Sequence, residues 1–402
     1  MKRIAAGVVC CLTLIGADLG RIRELEGAQR IFDLRRALVA SEDPETLLYR
    51  AVVTARFGQE AAAIPQLHRF LGTRPDRDME RKAHEELASA LVRVSRYRDS
   101  ASEYAEVLRL MPANDPGRAD LEEKRAICDA LRDAPPQTIE FSSAATVKAR
   151  LLGSWVVPLN VNGRNSEWIF DTGANFSVVT ESEAARVGLT ILAGAGIADG
   201  STGKKNQVRV AIGADVRVGP ALLHNIAFAV IADNALSRQA PPGILGFPAI
   251  RALGKIGISA RGMVLIEPDS KVSPGEPNIF FDGLTPIVEA HHGSSLLQMV
   301  VDTGAGRTML YPPSRPALSH EEIGRLRKSK ARSAGVGGTI ERSLEIASEL
   351  QLEMLGKQVT LKDIGLSSEQ PTEYRYEDGL LGMAALGGGF TLDFKAMRLQ
   401  LN

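Results

Sequence analysis

The sequence predicts a multidomain chain, an N-terminal all-α array of helix pairs followed by two tandem all-β lobes. Three observations predict it. Residues 20–133 are dominated by Ala, Leu, Arg and Glu and hold few strand formers, which is the texture of helix. From DAPPQT at 133–138 onward, short apolar runs alternate with glycine-rich turns, the texture of strands. Within that strand-rich stretch the same pattern occurs twice, WIFDTGANFSVV at 168–179 and MVVDTGAGRTML at 299–310, with its aspartates at Asp171 and Asp302.

The chain has 402 residues, enough for two or three domains, each with its own core. Its 48 basic and 48 acidic side chains cancel. No clustered basic face marks a nucleic-acid partner, and none is expected. The six histidines show no metal spacing, so neither metal nor cofactor is expected. His291-His292, beside Gly293, reads as a solvated hairpin turn.

MKRIAAGVVCCLTLIGA at 1–17 has a basic start and an apolar run too short to span a bilayer, which takes about 20 residues. It reads as a signal peptide cut near Ala17. That predicts an exported protein, periplasmic or extracellular, or one anchored in the membrane if the segment is retained. Cys10 and Cys11 lie inside this run, which leaves Cys128 alone in the mature chain, with no internal disulfide to make. Cys128 is expected on a helix as a buried apolar filler.

Two stretches of the helical region look related. AVVTARFGQEAAAIPQLHRFLGTRP (51–75) aligns with LASALVRVSRYRDSASEYAEVLRLMP (87–112), and they close on Pro75 and Pro112. That spacing is close to the tetratricopeptide period of about 34. Leu87, Ala88, Leu91 and Tyr104 fall near the large and small packing positions of such a unit, whereas Pro65 is expected to kink the second helix of the first one. Residues 20–133 are therefore expected to be tetratricopeptide-like, a surface for a protein partner. The alternative is a plain bundle serving as spacer or pro-segment.

The β region divides into a first lobe at 138–266, a linker EPDSKVSPGEPN at 267–278, and a second lobe at 279–402. Each lobe runs through the same order: hairpin, motif, helix or turn, glycine-rich segment, strands, Gly-apolar-apolar-Gly, closing strands. The glycine-rich segments are GIADGSTG (196–203) and SAGVGGT (333–339); the later elements are GILG (243–246) and GLLG (379–382). The stretch from Asp171 to Gly243 is nearly as long as that from Asp302 to Gly379, so the order of elements is matched by their spacing.

A single Asp at a strand-to-turn junction is ordinarily a turn former. Two, related by internal duplication, are expected to face each other across a pseudo-twofold axis. Carboxylates about 3 Å apart cannot both ionise. They share a proton, and the pair can deprotonate a water while donating to a carbonyl oxygen.

Here the sequence closely resembles the aspartic proteases of the pepsin and retropepsin superfamily. The likeness rests on Asp171-Thr172-Gly173-Ala174 with Ser177-Val178-Val179 and Ile244-Leu245-Gly246, and on Asp302-Thr303-Gly304-Ala305 with Thr308-Met309-Leu310 and Leu380-Leu381-Gly382. It covers about 140–402. It implies a bilobal acid-protease fold, a polypeptide or peptide substrate in the interlobe cleft, and Asp171 and Asp302 as the catalytic pair. Thr172, Gly173, Ala174, Thr303, Gly304 and Ala305 would form the supporting loops, the two threonines bracing them together. The departures are the lack of a flap tyrosine in 196–210, a second glycine-rich segment that gives both lobes a flap, and Asn175 and Gly306 after the motifs. The expected function is that of an exported aspartic endopeptidase whose site is complete in one monomeric chain. The alternative is a weak or inactive peptide-binding scaffold. Pairing of lobes between chains is disfavoured by their tandem order.

Overall fold

The computed structural model describes residues 18–38, 43–142, 145–198, 205–237, 239–267, 273–371, 374 and 376–402. The expected signal segment at 1–17 lies outside them. No helix among the described residues is long and apolar enough to cross a membrane.

Helices come first: α1 (Leu19–Gly27), α2 (Ile31–Ala37), α3 (Pro44–Arg56), α4 (Glu60–Leu71), α5 (Arg77–Arg93), α6 (Tyr97–Leu110) and α7 (Arg118–Ala130). Their starts follow local chemistry. The Asp43 carboxylate accepts from Glu45 N just ahead of Pro44, and the Asp76 carboxylate accepts from Asp78 N and Met79 N, which satisfies amides that the first turn leaves open. α4 runs on through Pro65, at the cost of one backbone hydrogen bond, because Ile64, Leu67 and Phe70 bury on its inner face. Consecutive helices pack in pairs, α3 on α4, α5 on α6 and α6 on α7. Cys128 is buried on α7 beside the Ser100 hydroxyl, and burial pushes its thiol up to about 11.

The rest is rich in strands. The first half holds β1 (Thr138–Phe141), β2 (Ala145–Lys148), β3 (Arg150–Leu151), β4 (Trp155–Val161), β5 (Arg164–Phe170), β6 (Ser177–Thr180), α8 (Glu181–Val187), β7 (Thr190–Ala198), β8 (Lys205–Val218), β9 (Ala221–Ile231), β10 (Gly243–Leu245), α9 (Phe247–Ala252), β11 (Lys255–Ser259) and β12 (Met263–Ile266). The second holds β13 (Phe280–Asp282), β14 (Thr285–His292), β15 (Ser295–Val301), β16 (Met309–Leu310), α10 (His320–Gly324), β17 (Arg327–Gly335), β18 (Gly338–Met354), β19 (Lys357–Leu366), β20 (Gly379–Leu381), α11 (Met383–Leu386), β21 (Gly389–Asp393) and β22 (Arg398–Leu401).

In the first half, β4-β5-β10-β6-β9-β8 close into a ring, since β8 pairs with both β4 and β9. In the second, β14-β15-β20-β16-β19-β18 close in the same way. The interiors are apolar: Trp168, Phe170, Phe228 and Leu245 in one, Val301, Leu352, Ile364 and Leu381 in the other. Each ring carries a projecting hairpin, β7–β8 or β17–β18. The turn of the first, 199–204, lies outside the described residues.

A third sheet, β2-β12-β11-β21-β22, joins the halves, with Ile256 opposite Leu392 and Ile258 opposite Phe390. The expected linker follows this sheet where it is described. Ser273 N donates to Asp393 Oδ2, and Asn278 bonds Leu399 through both its amide oxygen and its amide nitrogen.

The helices share cores with the β region rather than standing apart. Phe32 meets Phe57 and Phe280 edge-on, each at 5.4 Å between centroids. Arg93, its side chain fully buried, pairs with Glu60 at 2.7 Å and donates to Gly283 O; Arg251 of α9 takes the other Glu60 oxygen at 2.7 Å. Arg56 bonds Glu86 from its Nε at 2.7 Å and lies 3.5 Å from Asp282.

Candidate active site

Alternation along β5 explains how the first aspartate is presented. Trp168 and Phe170 point into the ring, so Ile169 and then Asp171 face the other way. β10 lies between β5, to which it is parallel, and β6, to which it is antiparallel. Asp171 N donates to Leu245 O at 3.0 Å, which carries that ladder one step further. The second half repeats this. β20 lies parallel to β15 and antiparallel to β16, and Asp302 N donates to Leu381 O at 3.1 Å.

The two motif loops meet. A Cβ placed on Gly173 would fall 2.7 Å from Asp302 Cγ, and one on Gly304 would run into the Asp171 carboxylate. Each glycine is thus bare because the other half's carboxylate occupies the space of a side chain. Thr172 N donates to Thr303 Oγ1 at 3.0 Å and Thr303 N to Thr172 Oγ1 at 3.1 Å. Thr172 Oγ1 donates to Val301 O at 2.5 Å and Thr303 Oγ1 to Phe170 O at 2.8 Å. Both threonines are fully buried, so this reciprocal set locks the loops in a dry environment.

Asp171 Oδ1 accepts from Gly173 N at 2.8 Å; Asp302 Oδ1 accepts from Gly304 N and Ala305 N, both at 2.9 Å. The two carboxyls are close enough that each shifts the proton affinity of the other. Burial raises the proton affinity of both. Asp302 rises well above the usual carboxylate range, lifted by burial and then by the charge of Asp171. The raised affinities favour one proton kept between the two carboxyls over ionisation of both.

Two supporting residues fall outside the motif tetrads. Ser177 Oγ accepts from Gly246 N at 3.1 Å, and Thr308 Oγ1 accepts from Gly382 N at 3.2 Å. The hydroxyl that follows each motif is visible in the sequence; its partner glycine, at the far end of the same lobe, is not. Phe247 N to Ala174 O and Met383 N to Ala305 O complete the same cradle at 2.8 and 2.9 Å. Asn175 and Gly306 are exposed at the loop tips. The second hairpin reaches the first half, where Gly337 N donates to Ala235 O at 3.0 Å. His292 is held rather than solvated. Its Nδ1 lies 2.9 Å from Gln351 O and its Nε2 3.1 Å from Glu322, because β14 pairs with β18 at that point.

The aspartyl protease family model matches residues 157–249, which hold Asp171 and the first ring through the start of α9. Among solved structures, a retropepsin-like aspartic protease from Rickettsia conorii is similar over 32% of this chain and 93% of its own, at 18% identity and a TM-score of 0.24, too loose an overlap to bear on the fold. No curated protein matches.

Proposed function

We propose that the protein is an aspartic endopeptidase of bilobal architecture, with Asp171 and Asp302 as its catalytic dyad. The observation that carries this reading is the reciprocal fit of the motifs, each carboxylate resting against the other half's glycine with Thr172 and Thr303 interlocked. The ionised member takes a proton from a water held between the carboxyls. The protonated member donates to the carbonyl oxygen of the scissile peptide, and the water oxygen attacks the carbonyl carbon. Collapse of the tetrahedral adduct passes a proton to the leaving amine and restores the shared proton. Both members of the dyad come from one chain, so a monomer suffices. The apolar segment at 1–17 supports export, and the paired helices at 20–133 support a tetratricopeptide-like module.

The test is incubation of the purified mature protein with a mixed peptide library from pH 3 to 8, with and without a statine-type transition-state mimic. Internal cleavage blocked by the mimic is expected. Cleavage that persists in both Asp171→Asn and Asp302→Asn would return the motifs to structural turns.

A further inference from the structure

Three parts of the molecule meet around one cavity. It lies where α2 and the ends of α3 and α5 reach α9 and the turn between β21 and β22, and its volume is about 560 Å³, a size that takes a small organic molecule. Its lining departs from the balanced charge of the chain. Arg35, Arg93, Arg251 and Lys395 line it, and no described aspartate or glutamate does.

The excess charge is buried. One carboxylate, Glu60, serves two guanidiniums: its Oε1 accepts from Arg93 Nε and its Oε2 from Arg251 Nη2, each at 2.7 Å. The Arg93 side chain is fully buried, and that of Arg251 nearly so. Two positive charges against one negative leave one unbalanced where little water reaches, whereas buried charges are ordinarily paired. The Phe281 ring lies beneath both guanidiniums, at 5.8 and 5.0 Å, which eases their burial without supplying a charge. Burial holds the proton affinity of Arg251 below its ordinary value; Glu60 opposes that, and the charge of Arg93 adds to it. The backbone does not make up the difference. α3, α5 and α9 turn their C-terminal ends this way, but several of the carbonyls along the cavity are already engaged. Arg93 O accepts from Arg251 Nη1 at 3.4 Å, Gly254 O from Phe394 N at 3.0 Å and Pro248 O from Gln137 Nε2 at 3.2 Å.

Much of the remaining lining is apolar, with Phe57, Pro277, Phe394 and Met397 among it. At the rim, the Arg35 guanidinium lies 4.7 Å over the Phe57 ring, with the exposed Glu276 carboxylate 3.8 Å away. Gly58, in the left-handed conformation at φ 72°, brings the two kinds of wall together. A Cβ there would come within 3.1 Å of Met397 Sδ and 3.6 Å of Arg251 Nη2.

We propose that this cavity binds a small organic monoanion, an aromatic or apolar body bearing one carboxylate, with the carboxylate at Arg251 and the body against Phe57, Phe394 and Met397. The single unbalanced charge selects a carboxylate over a phosphate monoester, which carries about −1.5 to −2. Because the walls come from the helices, from α9 and from the β21–β22 turn, the ligand ties the helical region to the β region and stabilises the folded chain. The site stands apart from the peptidase reading, since none of its residues belongs to the dyad or its loops.

The experiment uses the mature full-length protein and three probes. Naphthoate has the body and the charge, naphthalenemethanol the body alone, and inorganic phosphate a charge without the body. Binding is read by naphthoate fluorescence, by competition for the other two, and by the denaturant midpoint. Naphthoate should bind saturably with a Kd of about 1 mM or below, as its size allows, and should raise the midpoint. The other two should bind about tenfold more weakly or worse, each lacking one part of the contact. Arg251→Gln, which leaves Glu60 and Arg93 as a one-to-one pair, should weaken naphthoate about tenfold. Val94→Glu, at an exposed position lining the cavity, should weaken it about fivefold by repulsion, and it keeps the test open if the first variant does not fold. Asp171→Asn should bind naphthoate as the parent does, so failure of the peptidase reading and failure of this one are distinguishable. No saturable naphthoate binding up to about 10 mM, ten times the expected limit, would overturn the proposal. So would equal binding of naphthalenemethanol or phosphate, or a folded Val94→Glu that binds naphthoate unchanged.

Discussion

The two halves of the β region share a ladder and differ in almost everything hung on it. After β6 the first half makes the seven-residue helix α8, closed by Gly188 in the left-handed conformation at φ 68°. After β16 the second makes a 3-10 turn at Pro312–Ala317 and the short α10, started by a reciprocal Ser319–Glu322 cap. The ring order, the Thr lock, and the Ser177 and Thr308 hydroxyls are common to both. What is doubled is the machinery that aims a carboxylate, and what varies lies away from it. The aspartates themselves show how little local sequence decides ionisation. Their motifs share the same Asp-Thr-Gly-Ala, yet it is burial and the charge between the two carboxyls, neither of them a local property, that raise the proton affinity of the pair.

That comparison can be broken most decisively at the dyad. Asp171→Asn and Asp302→Asn should each lower kcat/KM by on the order of 10⁴-fold or more, with the double variant little worse, since groups acting as a unit are not additive. Unequal losses would mean that the halves do separate work. Next is the attachment of the helices. Glu60→Gln leaves buried Arg93 and Arg251 without their carboxylate and should cost about 3–5 kcal/mol in denaturant unfolding. A loss under about 1 kcal/mol would match an exposed pair instead.

The threonines sharpen the symmetry. Thr172→Val strands Thr303 N and Val301 O, and Thr303→Val strands Thr172 N and Phe170 O. Each should cost about 1–3 kcal/mol, and the two should agree, as read by chemical denaturation. The smallest effect concerns pH. A carboxyl whose folded proton affinity is raised binds more protons folded than unfolded across the interval between the two values. Its contribution is therefore intact at acid pH and lost as pH rises through that interval. Asp302→Asn removes this loss, so it should melt above the parent at pH 7, with the gap narrowing toward acid pH. A gap that widens on acidification would contradict the raised affinity.

Much of the site was legible because it is local and written twice. The apolar run, Asp-Thr-Gly-Ala and the following hydroxyl lie close together in the chain, and repetition separates them from ordinary turns. The closing glycines were also legible as elements, though not as partners of Ser177 and Thr308. The sheet joining the halves was not, since Ile258 pairs with Phe390 and nothing near either residue names the other. The placement of the helices was not legible either. Nothing near Glu60, Glu86, Arg56 or Arg93 in the chain names their partners, and their burial shows only when the helices and the β region are set together. The helical region thus reads as a separate module in sequence and shares its cores with the lobes in structure.

The central claim is that one chain carries a complete dyad. Mixing Asp171→Asn with Asp302→Asn tests it directly, because each variant retains the aspartate that the other lacks. Activity should be high in the parent, lost in each variant, and still absent after the two are mixed, unfolded and refolded together. Recovery of peptidase activity in the mixture would show that the aspartates meet between chains, and contradict the account.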